Sequence, residues 1–519
     1  AALPPAAGAT SPDPFTLAAQ TGNRVIIPSS VDELAATYAN PDGSYHLDLA
    51  LAPVRARVAG QWQPLDLTLE DKGRAYSPRV GALSIAFSRG GDRALAALGR
   101  GADGISFGSP RGALPAPAID GRTATYPGVL PNVDLVLEAT PSGMRELIVL
   151  RRAPGGDFTL RQPVDVPLTD DGITTTPGRG LLVRRHGQAV IESAPPAAWD
   201  ANTDIEHGDP SAIHPVAATL ETAADGSTSM VLSLPSTYLD DPTTVYPVYI
   251  DPAPTLSLAQ STYASSTGVA PDGGLVRIGQ TSGINQRGLM QFNLLDGSGA
   301  PRVPPGSRIQ SATLNVWSQW AASCHGGYLI KLVRVINPWS ASTATWSWIN
   351  QKDAQGNYVN VSSGYYAAAP TDHGSQSVSG CGSSAATDPG WVNITTNGSG
   401  GTSLGDLVQK WTDGNVPNNG VEVITDEVAG AGKTLQGKNA ANEPTLGVDY
   451  DPLYATIQTP ADQTIGEDLQ LQLAAKLDRA TSGTGGGTAP GWVDWTVTAQ
   501  NGQSWLVHGP TVSPGAISI

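Results

Sequence analysis

Short apolar–polar alternations, each closed by a turn rich in glycine or proline, recur along this chain and leave few architectures open to it. Tyr45, Leu47, Leu49 and Leu51 alternate with His46, Asp48 and Ala50, and a period of two puts each set on its own face of a strand. The preceding Asn40-Pro41-Asp42-Gly43 is a turn with a mechanism, since proline presets φ and glycine accepts a positive one. After Gly60, Leu65, Leu67 and Leu69 again share a face, and Val80 to Phe87 and Thr123 to Leu150 continue as strands. The 60 Gly and 42 Pro occur beside 40% hydrophobic residues and 12 Trp, which describes many short strands rather than disorder. The expected fold is all-β, in tandem β-sandwich domains.

Five segments follow from the shifts in composition: a flexible arm at 1–24, a β-sandwich at 25–150, a β-rich domain at 151–253, a further module at 255–451 and the start of an Ig-like domain at 452–519. The two prolines in Asp241 to Asp251 place that strand at an edge or end. The last domain is barely finished at Ile519, so a continuation, or a partner chain cleaved from the same precursor, is expected.

Thirty Lys and Arg stand against 46 Asp and Glu, a net charge of −16. That field disfavours nucleic acid and anionic membrane as partners. No run of 18 apolar residues occurs, so no membrane span is expected. The Ala- and Pro-rich start fits the residues just after a signal-peptidase cut, or equally an ordinary start. In a secreted protein the two cysteines, Cys324 and Cys381, point to one disulfide. Two buried thiols are the alternative, and zinc would need more ligands than His325 and His373 add.

Few residues look chemical. Asp134 and Glu146 tempt as a carboxylate pair, but charged residues in alternating strands face solvent or pair across strands. Gly401-Thr402-Ser403-Leu404-Gly405 has the spacing of a nucleophile turn. Ser403 with Asp406 reads better as a capping box for a helix with Leu404, Leu407, Val408 and Trp411 on one face, ended at Asp413-Gly414. Asp272-Gly273-Gly274 and Asp426-Glu427 are weak calcium candidates, and no other cofactor is expected. Trp317, Trp320, Trp339, Trp346, Trp348, Tyr365, Tyr366 and Trp391 form a dense aromatic set. Among them Trp320, Trp348, Tyr365 and Tyr366 lie in polar, loop-like surroundings and are the candidates for stacking on a glycan, with core packing as the alternative.

A set of landmarks runs in order from Thr262 to Asp449: Tyr263 to Ser266, Leu275 to Gly279, Arg287 to Leu294, Ile309 to Val316, Trp339 with Thr345-Trp346, Leu404 to Trp411, Asn419 to Ile424 and Glu443 to Leu446. Their order and spacing resemble the DNRLRE-domain family, a jelly-roll-like module of bacterial surface proteins. Tyr126 to Leu137, Gly143 to Leu150, Ala194 to Asp200 and Asp241 to Asp251 are similar to N-terminal regions of actinobacterial RHS/YD-repeat or wall-associated secreted proteins. The resemblance implies a secreted surface, adhesion or display scaffold without catalytic residues, and so not an enzyme, with Trp339, Trp346 and Trp411 in the core. Two alternatives stay open: a carbohydrate-binding module that meets a polysaccharide or cell-wall glycan, and a cleaved shell fragment of a polymorphic toxin.

Overall fold

The computed structural model describes residues 13–100, 103–166, 172–175, 181–186, 188–193, 195–202, 212–252, 254–256, 260–267, 274–322, 328–340, 343–368, 390–395, 403–458, 474–479, 492–498, 504–510 and 516–518. They are mostly β-strands in several antiparallel sheets, as the all-β expectation requires. The strand Phe158–Asp165 shows why. Phe158, Leu160, Gln162 and Val164 are buried, while Thr159, Arg161, Pro163 and Asp165 are exposed, one residue in and one out.

The first sandwich spans residues 66–256. One sheet runs from Ala217–Thr222 at one edge to Asp66–Asp71 at the other. The facing sheet is built on the meander Thr123–Leu130, Val133–Thr140 and Gly143–Leu150, with Val248–Asp251 on its far side. A single core joins them, from Leu69 through Phe87, Leu135 and Ile148 to Ile250. The expected division at 150/151 therefore falls inside one sandwich.

Tyr45–Ala50 lies in the other sandwich. It pairs with Thr445–Asp451, Leu47 opposite Val448 and Leu49 opposite Leu446. Leu47, Leu49 and Leu51 enter a second core with Met290, Leu314 and Val423. Ala35–Ala39 and Val25–Ile26 extend the same sheet outward. In the other direction it runs through Arg308–Ala321, Lys433–Gln436 and Leu275–Thr281. Leu275–Thr281 then bends into the opposite layer, where it pairs with Ile284–Gln291, followed by Val421–Ile424, Lys331–Val335 and Val361–Ala368. The bend is made at Gly279, whose φ of +80° suits glycine and where a Cβ would sit 2.6 Å from Thr425 Cγ2. The strand Val361–Ala368 is one that no alternation in the sequence marked.

Residues 66–256 are thus inserted between two parts of one sheet, and the pairing crosses the expected segments 25–150 and 255–451. His46 fastens the seam. Its Nδ1 lies 2.7 Å from Asp449 Oδ1 and its Nε2 3.0 Å from Asp48 Oδ1. Arg24 and Ser311 also donate to Asp449. Burial alone would raise the Asp449 carboxyl, but the hydrogen bonds from His46 and Ser311 outweigh it and hold it at about 2.

Part of the expected flexible arm is ordered. Asp13 caps the helix Pro14–Thr21 by accepting from Thr16 N, Gly22 ends it in the left-handed region, and Phe15 packs edge-on against Tyr45 at 4.7 Å. Residues 1–12 lie outside the described residues. Near the other end, Leu453–Gln458, Ala474–Arg479 and Ala516–Ser518 form one small sheet, and Trp492–Thr498 pairs with Ser504–Pro510.

One polar pair interrupts the first core. Glu146 stands opposite Leu137 on the inward face and is fully buried, where it accepts from Gln162 Nε2 at 2.8 Å. The other oxygens, Glu146 Oε2 and Gln162 Oε1, are buried acceptors with no donor among the described residues. A proton on Glu146 supplies the one O–H this pair lacks. Burial raises the carboxyl from 4.5 to about 7. The neutral acid is the form the fold favours, so this contribution is whole below about pH 4.5 and is lost as pH rises to 7. A shift of that size corresponds to about 3 kcal/mol. Glu146→Gln keeps the shape and cannot ionise. Urea unfolding at pH 4.5 and 8 is expected to show a smaller alkaline loss in the variant than in the wild type. Equal losses would contradict this account of the pair.

Candidate binding face

In the second sandwich Ile284–Gln291 alternates: Met290 points into the core, while Arg287 and Leu289 point away from it. The neighbouring strands add Glu422, opposite Leu289, and then Lys331, Val333 and Tyr365. This outward face is roofed. Trp339, Ala344 and the helix Trp346–Ile349 pack over Leu289, Val335 and Ala264 as a small third core. Thr345 caps that helix by accepting from Trp348 N, and Trp339 Nε1 donates to Asn419 O at 2.8 Å.

A charged cluster sits under the roof. Arg287 Nε donates to Glu427 Oε1 at 2.5 Å and Nη1 to Glu422 Oε1 at 3.4 Å, while the guanidinium lies 5.3 Å from the Trp346 ring centroid. Beside it Lys331 Nζ meets Asp426 Oδ1 at 2.7 Å and lies 6.0 Å from the Tyr365 ring. Burial pushes the Glu422 carboxyl up to about 7 against the pull of Arg287. Burial alone would lower Arg287, but the hydrogen bond it donates to Glu427 and the charge of Glu422 outweigh it and raise its pKa. A guanidinium held by two carboxylates organises this face and offers no spare charge to an anionic ligand.

The four residues expected to stack on a glycan are not gathered on this face. Trp320 is 4% exposed and lies in the opposite layer. Trp348 is half-buried in the roof. Tyr365 is 42% exposed, beside Lys331. Tyr366 leaves the other side of the same strand, packs on the second core and accepts from Lys410 Nζ at 3.2 Å. The structure instead pairs Trp317 with Trp391 across two strands, edge to face at 5.6 Å.

The other candidates resolve individually. Asp426 and Glu427 are engaged by Lys331 and Arg287, and among the described residues no group of three or more His, Cys, Asp or Glu could hold a metal. Asp272, Gly273, Cys324, His325, His373 and Cys381 lie outside the described residues. Ser403 is a helix cap: its hydroxyl accepts from Asp406 N, and Asp406 accepts from Ser403 N. Asp134 and Glu146 occupy opposite faces of their sheet. Asp134 is held by Arg151 and Gly128 N, and Glu146 departs from the solvent-facing expectation by lying in the core. No helix among the described residues is long and apolar enough to cross a membrane.

No family model matches this chain. It is similar to the tRNA(Glu)-specific nuclease WapA of Bacillus subtilis subsp. natto, 27% identical over 150 residues, and to a tRNA3(Ser)-specific nuclease WapA of Bacillus spizizenii, 28% identical over 148 residues. A tRNA nuclease WapA of Bacillus subtilis also matches, at 27% over 150 residues. Each match covers 28% of this chain and 6% of the relative, so the chain spans only a small part of the curated proteins it resembles. These names overturn the expectation that the protein is not an enzyme, because the relatives are nucleases by name.

Removing Arg287 leaves Glu422 buried without its cation, which typically costs about 3–5 kcal/mol. Arg287→Ala is expected to destabilise less at pH 5, where Glu422 is neutral, than at pH 8, where the carboxyl must either ionise or hold its proton. Urea titrations at the two pH values measure the difference. A cost that does not change with pH would contradict the cluster as described.

Proposed function

We propose that this chain serves as the attachment and presentation part of a secreted, wall-associated protein of the WapA kind, and that tRNA cleavage is the activity of that protein as a whole. The observation that carries this reading is the size of the match: 28% of this chain against 6% of each named nuclease. The shared portion is a small module of much larger proteins. Two sandwiches nested by insertion, the second tied internally by part-buried ion pairs, suit a presenting stalk. The DNRLRE-like reading of 255–451 belongs to the same proposal, as a surface module, now completed by residues 25–50.

Co-sedimentation of the purified chain with isolated Gram-positive cell walls, beside incubation with bulk tRNA, tests it. Retention in the wall pellet is expected. A chain that stays in the supernatant, as it does without walls, would count against attachment. tRNA cleavage by this chain without wall binding would place the chemistry within these sandwiches and overturn the presenting role.

A further inference from the structure

The first sandwich carries a pocket of about 480 Å³ where His214–Pro215, paired with Ala197–Trp199, faces the short helix Ser236–Leu239 and the turn that follows it. Two carboxylates line it, Asp200 and Asp241. No Lys or Arg does so among the described residues, and the sequence from 203 to 211 contains none. Asp200 is 8% exposed, and every donor that holds its carboxylate is neutral: Asn202 N at 3.0 Å, Asn202 Nδ2 at 3.0 Å and Val245 N at 2.9 Å. A buried charge is ordinarily answered by an opposite one.

The rest of the polar wall accepts rather than donates. Asn202 Nδ2 gives its protons to Asp200 and Thr243 O, which leaves Asn202 Oδ1 to accept. Thr243 N and its hydroxyl both donate to Asp241 Oδ1, which leaves Oδ2 open. The Thr244 hydroxyl donates to Tyr238 O. His214 stacks on the Tyr238 ring with centroids 3.9 Å apart. Burial lowers its pKa against the charge of Asp200, so the imidazole is neutral at pH 7 and one ring nitrogen accepts. The Tyr238 hydroxyl is buried with no partner among the described residues. Leu234, Pro215 and Pro235 supply the apolar part of the wall.

We propose that this pocket binds a primary ammonium group carried on a short aliphatic chain. The volume is that of a small-molecule site. Such a group brings one positive charge and three N–H donors to a wall that has carboxylates and open acceptors. Its methylenes can lie along the apolar part. A neutral polyol would leave the carboxylates without a counter-charge, and an anion would be repelled by both. The acceptors are fixed by internal hydrogen bonds before the ligand arrives, so little ordering cost remains. The inference stands on this pocket alone and does not require wall attachment.

The test is calorimetric titration of the full chain at pH 7.5 in roughly 0.15 M salt, which screens the general field of the −16 chain. Cadaverine and Nα-acetyl-lysine methylamide are the ammonium probes. Tetramethylammonium is the control with charge but no donors, and pentanol the control with a donor but no charge. At least one ammonium probe is expected to bind, with both controls weaker by about tenfold or more. Binding of cadaverine alone names a free amine as the source, and binding of the lysine derivative alone a peptide; either supports the site. Asp241→Asn keeps the turn and removes an exposed charge, and Thr237→Lys puts an ammonium of the chain's own at the exposed rim. Each is expected to cut probe affinity about tenfold while the far-UV spectrum and unfolding midpoint stay near wild type. Failure of both probes to bind, equal binding of either control, or unchanged affinity in both variants would overturn the inference.

Discussion

The pairing of Tyr45–Ala50 with Thr445–Asp451 is the constraint on which the rest of the molecule depends. It joins residues 403 apart in sequence, at His46 and Asp449, and it makes residues 66–256 an insertion rather than a preceding domain. An insertion of that length is tolerable because loop-closure entropy grows only with the logarithm of length, provided the inserted unit returns its ends close together. The chain is fixed at both junctions: Leu65 N donates to Val54 O on entry, and on exit Pro254–Leu256 pairs with Gln188–Ser193. Ser142 also reaches Asn439 across the two sandwiches. Contacts of such high sequence separation are slow to form, so the second sandwich should close late in folding.

Three of the places where charged groups enter these layers are resolved in different ways. At the seam, His46 sits between Asp48 and Asp449 with Arg24 alongside, so charge meets charge. Under the roof, Arg287 faces Glu422 and Glu427 against an indole. In the first core, Glu146 has only Gln162 as a hydrogen-bond partner among the described residues and is driven toward its neutral form. The first two tie distant segments together and help specify which strands pair. The third ties the two facing sheets of one sandwich, Gly143–Leu150 to Phe158–Asp165.

Strand character was legible in the sequence because alternation is a local property: Leu47, Leu49 and Leu51 are buried together as their spacing requires. The helix at Leu404–Thr412 was legible to its ends, since the Ser403–Asp406 box and Gly414 are local chemistry too. Strand partners were not, because alternation names a face and not a neighbour; nothing within 25–150 tells Tyr45–Ala50 to prefer Thr445–Asp451 over the sandwich that follows it. Glu146 shares parity with Met144, Ile148 and Leu150, so its inward position was present in the pattern and was masked by the rule that charges face water. The aromatic candidates do not gather on one face: Tyr365 and Tyr366 are adjacent in sequence and therefore leave opposite faces of a strand.

Native-state hydrogen exchange on the intact chain tests the insertion most directly. The account predicts that the amides of 45–50 and of 445–451 exchange with one common opening free energy, distinct from that of the amides of 133–150 in the first sandwich. If 45–50 exchanged together with 133–150, while 445–451 kept its own protection, the two strands would not share a cooperative sheet, and the nested arrangement would be wrong.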